Sequence, residues 1–268
     1  MKKQLTTKTT TLATILGLGA LGTASSSAAI IIAGLDNWDS TTAPTVPHLA
    51  SGVTATATAS ASTGNWAITD SGGDPGRGSS VDTTWGTFDG NGVAASAVTD
   101  VGPANLTVTN ARPSAEVTLT IVNNGTADLD LAQFHMDVVA FRPKAPRTYA
   151  LNVLAGSDIT VGNVFTSGLP MNDNSTNAVT SLGGALGTGH DVHDDLDLDL
   201  SGLADHTLAV GETAIIQIAF SNGVGDNAGG HHLFLDNVAV SGDVAVPEPS
   251  SALLTLVSGA FLLRRRRK

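Results

Sequence analysis

Two stretches of the chain alternate apolar and polar positions most plainly. In the segment 190–202 (HDVHDDLDLDLSG), Leu196, Leu198 and Leu200 alternate with Asp195, Asp197 and Asp199. A strand there turns the leucines to a core and the carboxylates to the opposite face. In 54–63 (TATATASAST) threonine alternates with small residues, which reads as a thin strand with an alanine face or as a flexible stretch, the strand being the preferred reading. Further strand signals cover 30–33, 53–59, 66–69, 106–109, 116–122 and 134–141, then 149–154, 196–200, 213–220 and 233–240. Turn residues separate them: Asn123-Asn124-Gly125, Gly211, Asn222-Gly223. Long amphipathic helical patterns are absent between residues 30 and 245. The pattern predicts an all-β fold, a two-sheet antiparallel β-sandwich of jelly-roll type.

Both ends break this pattern. Lys2, Lys3 and Lys8 precede an apolar run at 12–21, and small residues follow up to Ala29. That order is a secretory signal, with cleavage expected after Ala29 or Ala28. At the other end Val246, Pro247, Glu248, Pro249 and Ser250 lead into an uncharged apolar run, 252–263, and then Arg264, Arg265, Arg266, Arg267 and Lys268. The prolines lack an N–H and end whatever strand precedes them. As a helix, the apolar run is about 18 Å long at about 1.5 Å per residue. A bilayer core of about 30 Å calls for roughly 20 residues. The segment is therefore either a short anchor or a processing signal held transiently in the membrane, its cations on the cytoplasmic side. The expected organisation is a signal peptide (1–29), a β-sandwich ectodomain (30–245) and a C-terminal signal (246–268).

This ordered tail, Val-Pro-Glu-Pro-Ser, apolar helix and arginine cluster, resembles that of the PEP-CTERM proteins. The resemblance implies a sorting signal read and removed by an exosortase-type membrane protease-transpeptidase, in bacteria that make exopolysaccharide. It implies delivery to the cell surface, outer membrane or extracellular matrix, and says nothing of what the domain does there. The segments 208–223 and 232–244 also resemble closing strands of β-sandwich ectodomains that precede such tails. Leu235-Asp236-Asn237-Val238 resembles the last strand of jelly-roll carbohydrate-binding modules, in which an aspartate helps to hold structural calcium.

Charge narrows the partners. Outside the two terminal signals 5 of the 13 Lys and Arg remain, against 23 of the 24 Asp and Glu, so residues 30–247 carry 5 − 23 = −18. Nucleic acid is excluded, since phosphate binding needs a basic footprint. An anionic polysaccharide would need bridging divalent cations. The chain has no cysteine, which excludes disulfides, a cysteine nucleophile and iron–sulfur chemistry.

Candidate chemistry is sparse. Carboxylates two apart on a strand sit about 6.8 Å apart. They repel by roughly 0.6 kcal/mol in water and about 2.4 at an effective dielectric of 20. The row Asp195, Asp197 and Asp199 is thus either a solvated face or a calcium site. A competing calcium site pairs Asp236 with Asp36 or Asp39, on the expectation that first and last strands are neighbours. His190, His193, His231 and His232 lack zinc-site spacing and read as surface residues. Of Trp38, Trp66 and Trp85, the last lies in VDTTWGTFDGNG, a loop-like setting that favours a surface ring able to stack on a sugar. No nucleophile elbow or phosphate loop is present. No chosen pair of the abundant aspartates singles out a glycosidase site. The expectation is a non-enzymatic structural or adhesive surface protein. The alternatives are a non-catalytic carbohydrate-binding protein and, further off, a secreted glycoside hydrolase.

Overall fold

In the computed structural model, the described residues are 28–36, 38–40, 42–61, 65–68, 84–88, 104–108, 114–141, 146, 148–167, 193–222 and 231–245. All belong to one compact unit, Ser27–Val246. Residues 1–27 and the whole C-terminal signal, including the motif Val246 to Ser250 and the apolar segment after it, lie outside the described residues.

Thirteen strands are formed, and no helix occurs among the described residues. They are β1 (Ile30–Leu35), β2 (His48–Leu49), β3 (Val53–Ala61), β4 (Asn65–Ile68), β5 (Ala104–Val108), β6 (Ala115–Asn123) and β7 (Leu129–Phe141). The chain continues with β8 (Thr148–Val153), β9 (Gly162–Thr166), β10 (Asp194–Asp199), β11 (Thr207–Leu208), β12 (Thr213–Ser221) and β13 (His231–Val244). Every strand expected from the sequence is present. The additional ones, β2, β9 and β11, are very short or lie at an edge. β7 begins five residues before the expected 134, at Leu129.

Two antiparallel sheets make the sandwich. Sheet A runs β10-β7-β13-β1-β2; β11 adds to β7, β5 adds to β13, and β4 adds to β5. Sheet B runs β3-β6-β12-β8-β9. The first and last strands are neighbours, with Leu35 opposite Val238.

Alternation builds the core. Val117, Leu119 and Ile121 of β6 and Ala214, Ile216 and Ile218 of β12 are buried. They meet Phe134, Met136 and Val138 of β7 and Leu35, Val238 and Val240 from sheet A. Apolar area removed from water at about 25 cal/mol per Å² holds the two layers together. β13 carries a bulge: Asp236 faces Asp137, but the next partner pair is Ala239 and His135. The extra residue is absorbed at Asn237, whose φ of 48° lies in the left-handed region that asparagine tolerates. A second shift follows Ser241, where a Cβ on Gly242 would lie 2.1 Å from the Asp130 carbonyl oxygen.

Candidate functional site

The two outer faces of the sandwich differ. That of sheet A is covered by the hairpin 84–88. Trp85 N–H donates to the Phe88 carbonyl at 2.7 Å, and Phe88 N–H to the Trp85 carbonyl at 2.8 Å. Gly86 takes the first central position with φ 52°, where a two-residue hairpin turn favours glycine. Trp85 packs with Ile31 and Ala239 in a cluster separate from the main core. A Cβ on Gly34 would come within 2.9 Å of its ring, so glycine leaves room for the indole.

Each ring of the hairpin touches a histidine bonded to an aspartate. Trp85 meets His48 edge-on at 5.1 Å, and His48 Nε2 lies 3.0 Å from Asp36 Oδ1. Phe88 stacks on His135 at 5.1 Å, and His135 Nδ1 lies 2.7 Å from Asp197 Oδ1. His135 Nε2 in turn lies 2.7 Å from Ser241 Oγ. Burial pushes the His135 pKa below its ordinary value, while the hydrogen bond and charge of Asp197 oppose that shift. For the neutral ring beside an ionised Asp197, Nδ1–H donates to the carboxylate and Nε2 accepts from the Ser241 hydroxyl. This repeats the connectivity of a hydrolytic triad. Here it builds a clasp, because Ser241 and His135 are both buried and Phe88 lies against the imidazole. Thr87 N–H and Oγ1–H also donate to Asp197, tying the turn to β10.

The candidate residues scatter among these contacts. Trp85, expected at the surface, is fully buried, because its ring turns onto small residues of β1 and β13. Trp38 is also buried; the side chain of Trp66 lies outside the described residues. Asp236 is buried and its Oδ1 accepts the N–H of Asn237, whose side-chain amide donates to Asp137. Asp36 is engaged with His48. The exposed Asp39 accepts both the N–H and the hydroxyl of Thr45, which pull its pKa below the ordinary carboxylate value.

Along β10, Asp195 is exposed, Asp197 joins the clasp, and Asp199 accepts from the N–H and hydroxyl of Ser201. Those two bonds lower the Asp199 pKa. Among the described residues no group of three or more His, Asp or Glu is placed to hold a metal ion. His190 and the side chains of His231 and His232 lie outside the described residues. His193 is half-buried.

Among the described residues, the outer face of sheet B is nearly uncharged. Register sets Thr56 beside Thr120, Thr58 beside Thr118 and Ser60 beside Glu116. On the other side of β6, Gln217 faces Thr118 and Ala219 faces Glu116. Asn152 faces Gln217 and, across β8, Asn163. Glu116 is the one charged residue in the five strands of this sheet, whereas the strands of sheet A carry eight aspartates, four of them in β10. Sequence reading missed this face, although the TATATAS alternation of β3 was its signal.

No protein-family model and no curated protein matches the chain. Among solved structures it is similar to a family 11 carbohydrate-binding module from Clostridium thermocellum in complex with a beta-1,3-1,4-mixed-linked tetrasaccharide. That match has 8% identity and a TM-score of 0.32, over 82% of this chain and 99% of that one. A family 11 module of the cellulosomal cellulase Lic26A-Cel5E of the same organism gives 9% identity and a TM-score of 0.32, over 84% and 99%. A family 28 module specific for non-crystalline cellulose gives 12% and 0.30, over 56% and 81%. These values leave the reading of the site to its own geometry.

Proposed function

We propose that this chain is an exported, non-catalytic protein of the cell surface or its matrix, which associates with neutral polysaccharide through the outer face of sheet B. The observation that carries the reading is the charge pattern. A domain with a net charge near −18 keeps five strands with a single carboxylate, their outer face carrying hydroxyls and amides beside Val122, Ile215 and Ala219. Solvation alone is met elsewhere in this chain by aspartate. A neutral array of donors and acceptors matches a partner that presents hydroxyl groups and no charge. Its five strands hold no cation for a polyanion to pair with. The terminal segments supply the delivery: a signal peptide, and a PEP-CTERM-like tail removed by an exosortase-type enzyme. Affinity electrophoresis of the full chain in gels containing neutral or anionic polysaccharide tests the binding. Retardation by a neutral polymer that weakens in Thr58→Ala/Thr118→Ala supports the reading. Equal mobility in every gel refutes it.

A further inference from the structure

At one end of sheet B the neutral face runs into a pocket of about 340 Å³. That volume falls at the lower end of the roughly 300–1,000 Å³ typical of small-ligand sites. Its polar lining includes Ser60, Glu116 and Ser221, and its apolar lining Ala115, Ala219 and Phe220. The register explains the space. Glu116 stands between Ser60 of β3 and Ala219 of β12. Two small neighbours leave room beside the carboxylate.

We propose that this pocket is a saccharide subsite, in which Glu116 accepts two adjacent hydroxyls of a neutral sugar unit. The proposal rests on the reading of sheet B as a polysaccharide face and adds a defined anchor to it. The carboxylate is held in place: Ser60 Oγ–H donates to Oε1 at 2.7 Å and the Gln217 amide to Oε2 at 3.1 Å. An ionised carboxylate offers about four acceptor positions. After these two bonds each oxygen keeps one, and a pair of neighbouring hydroxyls can donate to both. Bonds from neutral donors to a charged acceptor are the stronger kind. Ala219, on the same face as Glu116, is small enough to admit a sugar ring beside the carboxylate.

Other ligand classes fit less well. Among the described lining residues there is no cation to attract a carboxylated or sulfated sugar. Calcium takes about 6–8 oxygen ligands, mostly from several carboxylates, and here there is one. Ser221 adds a hydroxyl at the rim, oriented by Thr148 at 3.0 Å.

The test uses the full chain and calorimetric titration with short neutral oligosaccharides of the gluco-, manno- and xylo-series. Affinity electrophoresis in the corresponding polymers runs beside it. Glu116→Gln is expected to weaken oligosaccharide binding by about tenfold or more, the size of a bond to a charged group. Ala219→Leu, which fills the pocket and keeps Glu116, is expected to do the same. Melting curves establish that both variants fold. Oligosaccharide affinity unchanged in both folded variants overturns the subsite. If polymer binding then still depends on Thr58 and Thr118, the reading of the face stands without it. If the wild-type chain binds none of these glycans or polymers, face and subsite fall together.

Discussion

Replacing Trp85 by alanine separates a ring that binds sugar from a ring that holds the fold. The indole is fully buried, against Ile31, Ala239 and the edge of His48. Truncating a buried tryptophan costs about 3–5 kcal/mol. A domain of this size loses roughly 2–4 °C of melting temperature per kcal/mol. The expected fall is therefore about 6–20 °C, read by calorimetry or by far-ultraviolet dichroism on heating. An exposed stacking ring would change stability by no more than about 0.5 kcal/mol.

Gly34→Ala supplies the control. Its new methyl would meet the indole at 2.9 Å, an overlap that costs about 1–3 kcal/mol in the wild type. In Trp85→Ala the indole is gone and only the Ala239 Cβ, at 3.1 Å, still crowds the new methyl, so the second substitution costs much less. That non-additivity is the signature of direct contact. A shift below about 1 °C for Trp85→Ala, or additive effects in the double variant, would refute the packing argument.

Acidification is expected to destabilise the chain through His135. Its folded-state pKa lies below the ordinary value of 6.5, so the unfolded chain takes up the proton first. This contribution is complete above that ordinary value and is lost as pH falls through it towards the folded-state pKa, at no more than about 1.4 kcal/mol per pH unit. His135→Gln removes this component from a melting-temperature profile; an unchanged profile contradicts it. A calcium site at Asp236 predicts stabilisation of about 2.7 kcal/mol at 100 times the dissociation constant, abolished by Asp236→Ala. Superimposed melting curves in chelator and in millimolar calcium, at constant ionic strength, remove that site from the account. Mass spectrometry of surface material from the native host is expected to find chains lacking residues 264–268; an intact C-terminus leaves the anchor reading instead.

The strands were legible from a period of two, as in β6 and β12, or as a continuous apolar run, as in β1. β2 and β11, with two residues each, are too short to show any period. β9 exposes Phe165 at 40%, which blurs its alternation. The burial of Trp85 was hidden for another reason. Its neighbours in sequence are threonine and glycine, and what buries it are Gly34 and Ala239, far away along the chain. One local sign did exist. From Phe134 to Val139 every residue of β7 is buried, His135 and Asp137 included. A strand buried on both faces needs a second cover, and histidine and aspartate in it need partners. The pairing of His135 with Asp197 and Ser241 depends on register across three strands, which no local pattern encodes.

The same dependence on register makes ionic strength a test of the proposed face. Composition gives one sum, −18, and suggests an evenly acidic surface. Pairing shows instead that the charge lies in sheet A and in loops, while β3, β6, β12, β8 and β9 are left with Glu116 alone. A neutral polymer on that face makes hydrogen bonds and releases no counterions. Its affinity is therefore expected to stay nearly constant between about 0.05 and 0.5 M sodium chloride, a range over which the Debye length shrinks severalfold. Chelator is expected to leave it unchanged. An anionic polymer bridged to the aspartates by divalent cations behaves in the opposite way, weakening with added salt and vanishing with chelator. The measurement is affinity electrophoresis repeated across that salt series. Binding that collapses with salt or chelator would place the contact on the acidic side of the molecule and refute the assignment to sheet B.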